Sequence, residues 1–227
     1  MNLREESKAN ISDTPLVSII IAFRKANDYL RECLEKIGDL DYPDYEVIML
    51  PDQTMEETKP GEGIRIIPTG PAGPPIKRDI GAEKARGSIL AFIDDDAYPD
   101  RDWLTAAVGH FRNPEVGGVG GPAVTPPGDD FFRKAGGRVL TSWMVGGVHT
   151  FRSHPGRIRE VDDYPTSNLL VRRSVFVRVG GFDSPYWPGE DTVLCWKITH
   201  QSGLRIVYDP AVLVYHHRRP LFKKHWR

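Results

Sequence analysis

The chain has 227 residues, 40% hydrophobic and 27% charged, a balance that suits one large globular domain and excludes a disordered segment. Its formal net charge of −1 sets 30 basic against 31 acidic side chains, so no overall field recruits nucleic acid and none is expected as a partner. Cys33 and Cys195 lack the close spacing of a zinc site, which favours a reducing cytoplasmic setting over a disulfide.

Residues 1–14 read as a polar N-terminal extension without the apolar stretch of a signal peptide. Leu16–Phe23 (LVSIIIAF) is a β-branched run that predicts a strand covered on both faces. Across Asn27–Leu40, Leu30, Cys33, Leu34 and Ile37 fall at helical spacing. Tyr45–Leu50 predicts a second buried strand and Ile64–Pro68 a third. Thr69–Pro75, with three prolines and two glycines, predicts an irregular loop. Ile76–Arg86 predicts a helix stopped by Gly87, and Ser88–Ile93 a fourth strand that runs straight into three aspartates. Strands alternating with helices imply a mostly parallel sheet flanked by helices, whose ligands bind beyond the strands' carboxyl ends.

Past Asp100 the pattern loosens. Trp103–Phe111 predicts a helix, Val116–Val124 one glycine-rich strand, and 126–163 an irregular region without clear periodicity. Asn168–Val171, Leu204–Tyr208 and Ala211–Tyr215 predict later strands, and Asp191–Gln201 a helix. No repeat divides the chain, so residues 15–217 read as one domain, with a nucleotide-binding half over about 15–100 and an acceptor-binding half over about 101–217. Residues 218–227 form a basic tail with interleaved aromatics. It suits peripheral contact with an anionic membrane surface, and it reads equally as a solvated tail or the cut end of a longer protein.

Two motifs carry chemistry. Asp94, Asp95 and Asp96 repel one another at a strand end unless a cation neutralises them, and hard oxygen ligands favour Mn2+ or Mg2+. Glu190 and Asp191 stand at a predicted helix start, where backbone N–H groups favour an anion and a carboxylate could take a proton from an attacking hydroxyl. Among the tryptophans, Trp187 beside that pair is the candidate for stacking on an acceptor sugar, whereas Trp196 reads as core. Gly180-Gly181-Phe182-Asp183 reads as a structural turn, Asp162-Asp163 as a solvated turn, and one of Arg172 and Arg173 as the partner of a surface acid.

Taken together, VSIII, Lys77–Gly81, SILAFIDDD, NLLVRR, VGGFD, PGED and Val214–His216 resemble, in order and spacing, the inverting family 2 glycosyltransferases, over about Leu16–His217. The resemblance implies an α/β, GT-A-like single domain with a mostly parallel central sheet. It implies transfer of a sugar from a nucleotide-diphospho-sugar, most often of uridine diphosphate, to a glycan or lipid-linked acceptor. It assigns Asp191 as catalytic base with Glu190 as its companion, and Asp96 and His216 as metal ligands, with His217 an alternative to His216. Asp52, Arg78, Asp94 and Asp95 are assigned to the nucleotide, although Lys77 and Asp79 beside Arg78, and Pro51 before Asp52, depart from the family's wording. Two other readings stay open: a nucleotidyltransferase, which the glycine-free segment Ala22–Asn27 disfavours, and a catalytically silent binding domain.

Overall fold

The computed structural model describes residues 12–55, 63–183 and 188–220. Its centre is an eight-stranded sheet. The strands, in chain order, are β1 (Val17–Ala22), β2 (Tyr45–Leu50), β3 (Ile64–Ile66), β4 (Ile89–Asp94), β6 (Val116–Gly120), β8 (Arg159–Val161), β9 (Asn168–Arg172) and β10 (Arg205–Tyr208), arranged β3-β2-β1-β4-β9-β6-β10-β8. β9 and β8 run against their neighbours and the rest are parallel, so the expected mostly parallel sheet is present with two reversed strands. A small second sheet joins β5 (Ala97–Pro99), β11 (Val214–His216) and β7 (Ala123–Val124), with β11 in the middle.

The first strands are buried on both faces because their side chains alternate between two cores. Ile19 and Ile21 pack with α1 (Asp28–Gly38) through Leu30, Cys33 and Ile37, while Ile20 packs with Ala82 of α2 (Pro74–Lys84). α2 starts two residues before its expected boundary. Pro74 and Pro75 occupy its first positions, where a missing N–H costs nothing. Gly87 does not cap this helix, which has already ended at Lys84. A Cβ there would lie 2.7 Å from the Leu16 carbonyl and the Ser18 nitrogen, so glycine allows close approach to β1.

Beyond α3 (Trp103–His110), the stretch Val116–Val124 is two strands in different sheets, broken at Gly121-Pro122. Buried Asn168 holds the sheets together: its amide donates to Gly121 O at 2.6 Å and Val212 O at 2.7 Å, and it accepts from the Trp103 indole at 2.8 Å. The region expected to be irregular contains α4 (Phe131–Thr141), α5 (Trp143–Gly146) and a 3-10 segment, Gly147–Arg152. α6 (Arg173–Arg178) follows β9, and the last helix is α7 (Glu190–Trp196) extended by a π-helical turn, Lys197–Gln201.

Three readings of single residues are corrected. Trp196 is half exposed and stacks on His200 rather than joining the core, because it lies on the outer face of α7. Arg172 is buried and donates to the carbonyls of Phe111 and Asn113 past the end of α3, not to a surface acid. Asp163 is not merely solvated: it accepts from Arg152 at 2.9 Å.

Candidate active site

The parallel strands β1, β2 and β4 end on one edge, and their continuations supply Phe23–Asn27, Pro51-Asp52 and Asp94–Asp96. A cavity of about 1050 Å³ opens there, lined by Arg24, Asn27, Asp52, Lys77 and Asp95 among others. The hydrophobic run of β4 explains why its aspartates emerge at this edge, since the strand stays in the core up to Ile93 and the chain must turn out after it.

The triple aspartate divides between two surroundings. Asp94 and Asp96 gather with His216, each offering a ligand atom within 4.8 Å of the others. His216 reaches the cluster because β11 pairs antiparallel with β5, immediately after Asp96, placing His216 opposite Ala97. Its Nε2 lies 3.0 Å from Asp96 Oδ1. Burial pushes the Asp96 carboxyl up, but the hydrogen bond and charge of His216 outweigh it and leave the group below its ordinary range. Two carboxylates and an imidazole suit a hard or borderline divalent cation. Asp95 points instead to the cavity and accepts from the Asn27 amide at 3.0 Å. Burial, then Asp96 and Asp94, raise its pKa.

His217 is committed elsewhere. Its Nδ1 lies 2.6 Å from Asp129 and its Nε2 2.9 Å from Glu32, with the Tyr29 ring 4.5 Å away. Geometry therefore separates the two histidines that the sequence left as alternatives.

Arg78 is buried between two carboxylates, donating to Asp94 Oδ1 at 2.8 Å and to Glu190 Oε1 at 3.3 Å. Glu190 and Asp191 open α7 after Gly189, whose left-handed φ of 124° turns the chain into the helix. Burial raises the Asp191 pKa, and the charges of Glu190 and Asp163 add to the rise while Arg78 opposes it. The Arg78 guanidinium also stands 5.9 Å over the Phe182 ring. Phe182 is held by its backbone N–H donating to Asp79 at 3.0 Å, so the Gly180–Asp183 turn buttresses Arg78 from behind.

Two residues of this edge had no assigned role in the sequence. Lys77, buried, donates to the Phe23 carbonyl at 2.6 Å and the Leu50 carbonyl at 3.2 Å and makes a very short contact with Asp52. Asn27 bonds Asp95 while its Oδ1 caps α1 through the Leu30 N–H. The signal for Lys77 was its helical face: Lys77, Arg78, Gly81 and Ala82 form the buried side of α2. Of the sequence-assigned residues, Asp52 and Asp95 share the cavity and Asp94, Asp96 and His216 share the cluster, which Arg78 links to Glu190 beside Asp191. Trp187 lies outside the described residues.

Residues 18–180 match the family model for glycosyl transferase family 2. The chain is 34% identical over 148 residues to the pre-mycofactocin glycosyltransferase of Mycobacterium tuberculosis, covering 65% of this chain and 30% of that protein. It is 26% identical over 227 residues to the O-antigen biosynthesis protein RfbC of Myxococcus xanthus, covering 91% of this chain and 18% of that one. The chain thus spans less than a third of the length of either curated relative. Among solved structures, the mannosyltransferase PcManGT from Pyrobaculum calidifontis, in complex with GDP-Man and Mn2+, superposes with a TM-score of 0.68 at 21% identity, over 98% of this chain and 64% of that one. With its central sheet, its carboxylate-bearing strand edge and this match over most of its length, the chain belongs to glycosyl transferase family 2 and has the GT-A fold.

Proposed function

We propose that the protein transfers a sugar from a nucleotide-diphospho-sugar, foremost of uridine diphosphate, to a hydroxyl of a glycan or lipid-linked acceptor, inverting the anomeric carbon. The observation that carries this reading is the Arg78 bridge, which ties Asp94 of the cation cluster to Glu190 beside Asp191. It supports a donor-holding group and a proton-accepting group that work together, since one guanidinium touches both Asp94 and the neighbour of Asp191.

The donor set of Asp94, Asp96 and His216 fits Mn2+ or Mg2+, and the mannosyltransferase neighbour is in complex with GDP-Man and Mn2+. Such a cation supplies Lewis-acid stabilisation of charge on the departing diphosphate. The chain's own side chains do the rest. Asp52 and Asp95 receive the nucleoside in the cavity, with Lys77 and Asn27 fixing their orientation. Arg78 balances the two carboxylates it touches. Asp191 takes the proton from the acceptor hydroxyl as the oxygen attacks opposite the leaving group, and its raised pKa makes it a stronger base than an ordinary aspartate. One displacement suffices, without a glycosyl-enzyme intermediate. Trp187 is proposed to flank the acceptor. The buried free thiols of Cys33 and Cys195 support a cytoplasmic setting, and the basic tail supports the inner membrane face.

Product analysis tests the reading. The full chain with uridine and guanosine diphosphate sugars and Mn2+ is expected to release nucleoside diphosphate. Release of pyrophosphate from a nucleoside triphosphate and sugar phosphate would replace it with nucleotidyl transfer.

A further inference from the structure

α4, α5 and the 3-10 segment present an apolar face to solvent. Phe131 is 77% exposed, Trp143 79%, Met144 90% and Val148 78%, with Phe132 and Val145 also exposed on the same helices. Among the residues of α4 and α5, Gly137 alone is buried, against Thr125. Such a contiguous face marks an interaction surface rather than the scatter of single apolar residues found on any protein.

The charges of the same stretch are segregated. From Phe131 to Arg159 the sequence holds six basic residues (Arg133, Lys134, Arg138, Arg152, Arg157 and Arg159) and no acidic one, in a chain whose acids and bases are otherwise nearly equal. Lys134, Arg138 and Arg157 are exposed and have no acidic partner among the described residues. The stretch is nonetheless fastened at its far end, where buried Phe151 packs edge-on to Tyr208 and Arg152 binds Asp163. Its apolar side chains therefore face outward on a supported scaffold.

We infer that this face docks on an anionic lipid surface, with Trp143, Met144 and their apolar neighbours entering the headgroup boundary and the exposed Lys134, Arg138 and Arg157 meeting lipid phosphates. Aromatic and aliphatic residues interleaved with uncompensated cations are the composition of an interfacial helix. A second copy is the weaker occupant, because a two-fold contact would set the cations of one face against those of the other. The surface also adjoins the cleft: Gly136 of α4 lies close against the Arg219 carbonyl, and Arg219 lines the cavity. Docking sets the cleft beside the membrane, as a lipid-linked acceptor requires. That last step rests on the proposed transfer reaction, whereas the docking itself does not.

The test is co-sedimentation of the full chain with vesicles of phosphatidylcholine alone or with phosphatidylglycerol. Binding to the anionic vesicles is expected, weakened by salt, and lowered at least tenfold by the double substitution Trp143→Ser, Met144→Ser. Both side chains are exposed, so an unchanged melting temperature and unchanged nucleotide binding are expected for that variant and would separate lost docking from lost folding or a failed donor site. The inference is overturned if wild type ignores anionic vesicles, or if the double variant binds as well as wild type while Lys223→Ser, Lys224→Ser does not. It is equally overturned if sedimentation shows a dimer that the double variant dissolves.

Discussion

Asp191 shows how one side chain's surroundings set its chemistry. Burial and the neighbouring charges of Glu190 and Asp163 hold its proton more tightly than in an unfolded chain. A base with a raised pKa is ionised only at higher pH, so the acid limb of kcat/KM should lie above the ordinary aspartate range of about 3.9. Asp191→Asn should lower turnover by about two to four powers of ten and leave donor binding intact. The sign for stability is opposite to that of a salt-bridged aspartate. Below the unfolded pKa both states are protonated and the burial costs nothing. As pH rises through the folded pKa the carboxylate must ionise in place, and the cost is then fully present. The asparagine variant should therefore melt at least as high as wild type at neutral pH, with the gap closing in acid. A neutral-pH melting temperature well below wild type would show that the ionised carboxylate stabilises the fold.

Among the elements, the Gly180–Asp183 turn and α2 act as one support. Gly181 has φ +58°, and a Cβ there would stand 2.5 Å from Asp79 Oδ1, the acceptor that holds Phe182 behind Arg78. Gly181→Ala should cost about 1–3 kcal/mol in urea unfolding and lower turnover as well, because Arg78 loses its backing. A stability loss with full activity would detach the turn from the site. Elements of this kind were unevenly legible in the sequence. The β-branched run of β1 and the apolar run of β4 announced buried strands, and the aspartates after β4 announced the site edge, since those signals are local. α4 was hidden because Gly136 and Gly137 weaken its propensity, while its packing partners, Thr125 and Arg218-Arg219, lie outside its own stretch of sequence. Lys77 was read only as an irregular neighbour of Arg78. A lysine used as a buried tie between α2 and the ends of β1 and β2 leaves no pattern except its place on the helix face.

For the whole molecule, cleft and fold are thermodynamically linked. A ligand that binds only the native state raises stability by about 2.7 kcal/mol at one hundred times its dissociation constant. Uridine diphosphate with Mn2+ should therefore raise the melting temperature, and neither component alone should match the pair. Asp96→Ala and His216→Ala should abolish the Mn2+-dependent part of that rise. A rise unaffected by both substitutions would move the cation elsewhere. Asp94 and Asp96 lie more than a hundred residues from His216 and meet it through the sheet order, so only the ordered set of motifs, and no local signal, joined them in the sequence.

β11 carries one more consequence, for the time at which the site comes into being. It is threaded between β5 and β7 and delivers His216 to aspartates translated some 120 residues earlier. Because domains are synthesised from the N-terminus onward, a ribosome must deliver the chain as far as β11 before Asp94, Asp96 and His216 can meet. Until then a nascent polypeptide carries the two aspartates without their imidazole, so the cluster of Asp94, Asp96 and His216 cannot belong to the early collapse of the first strands.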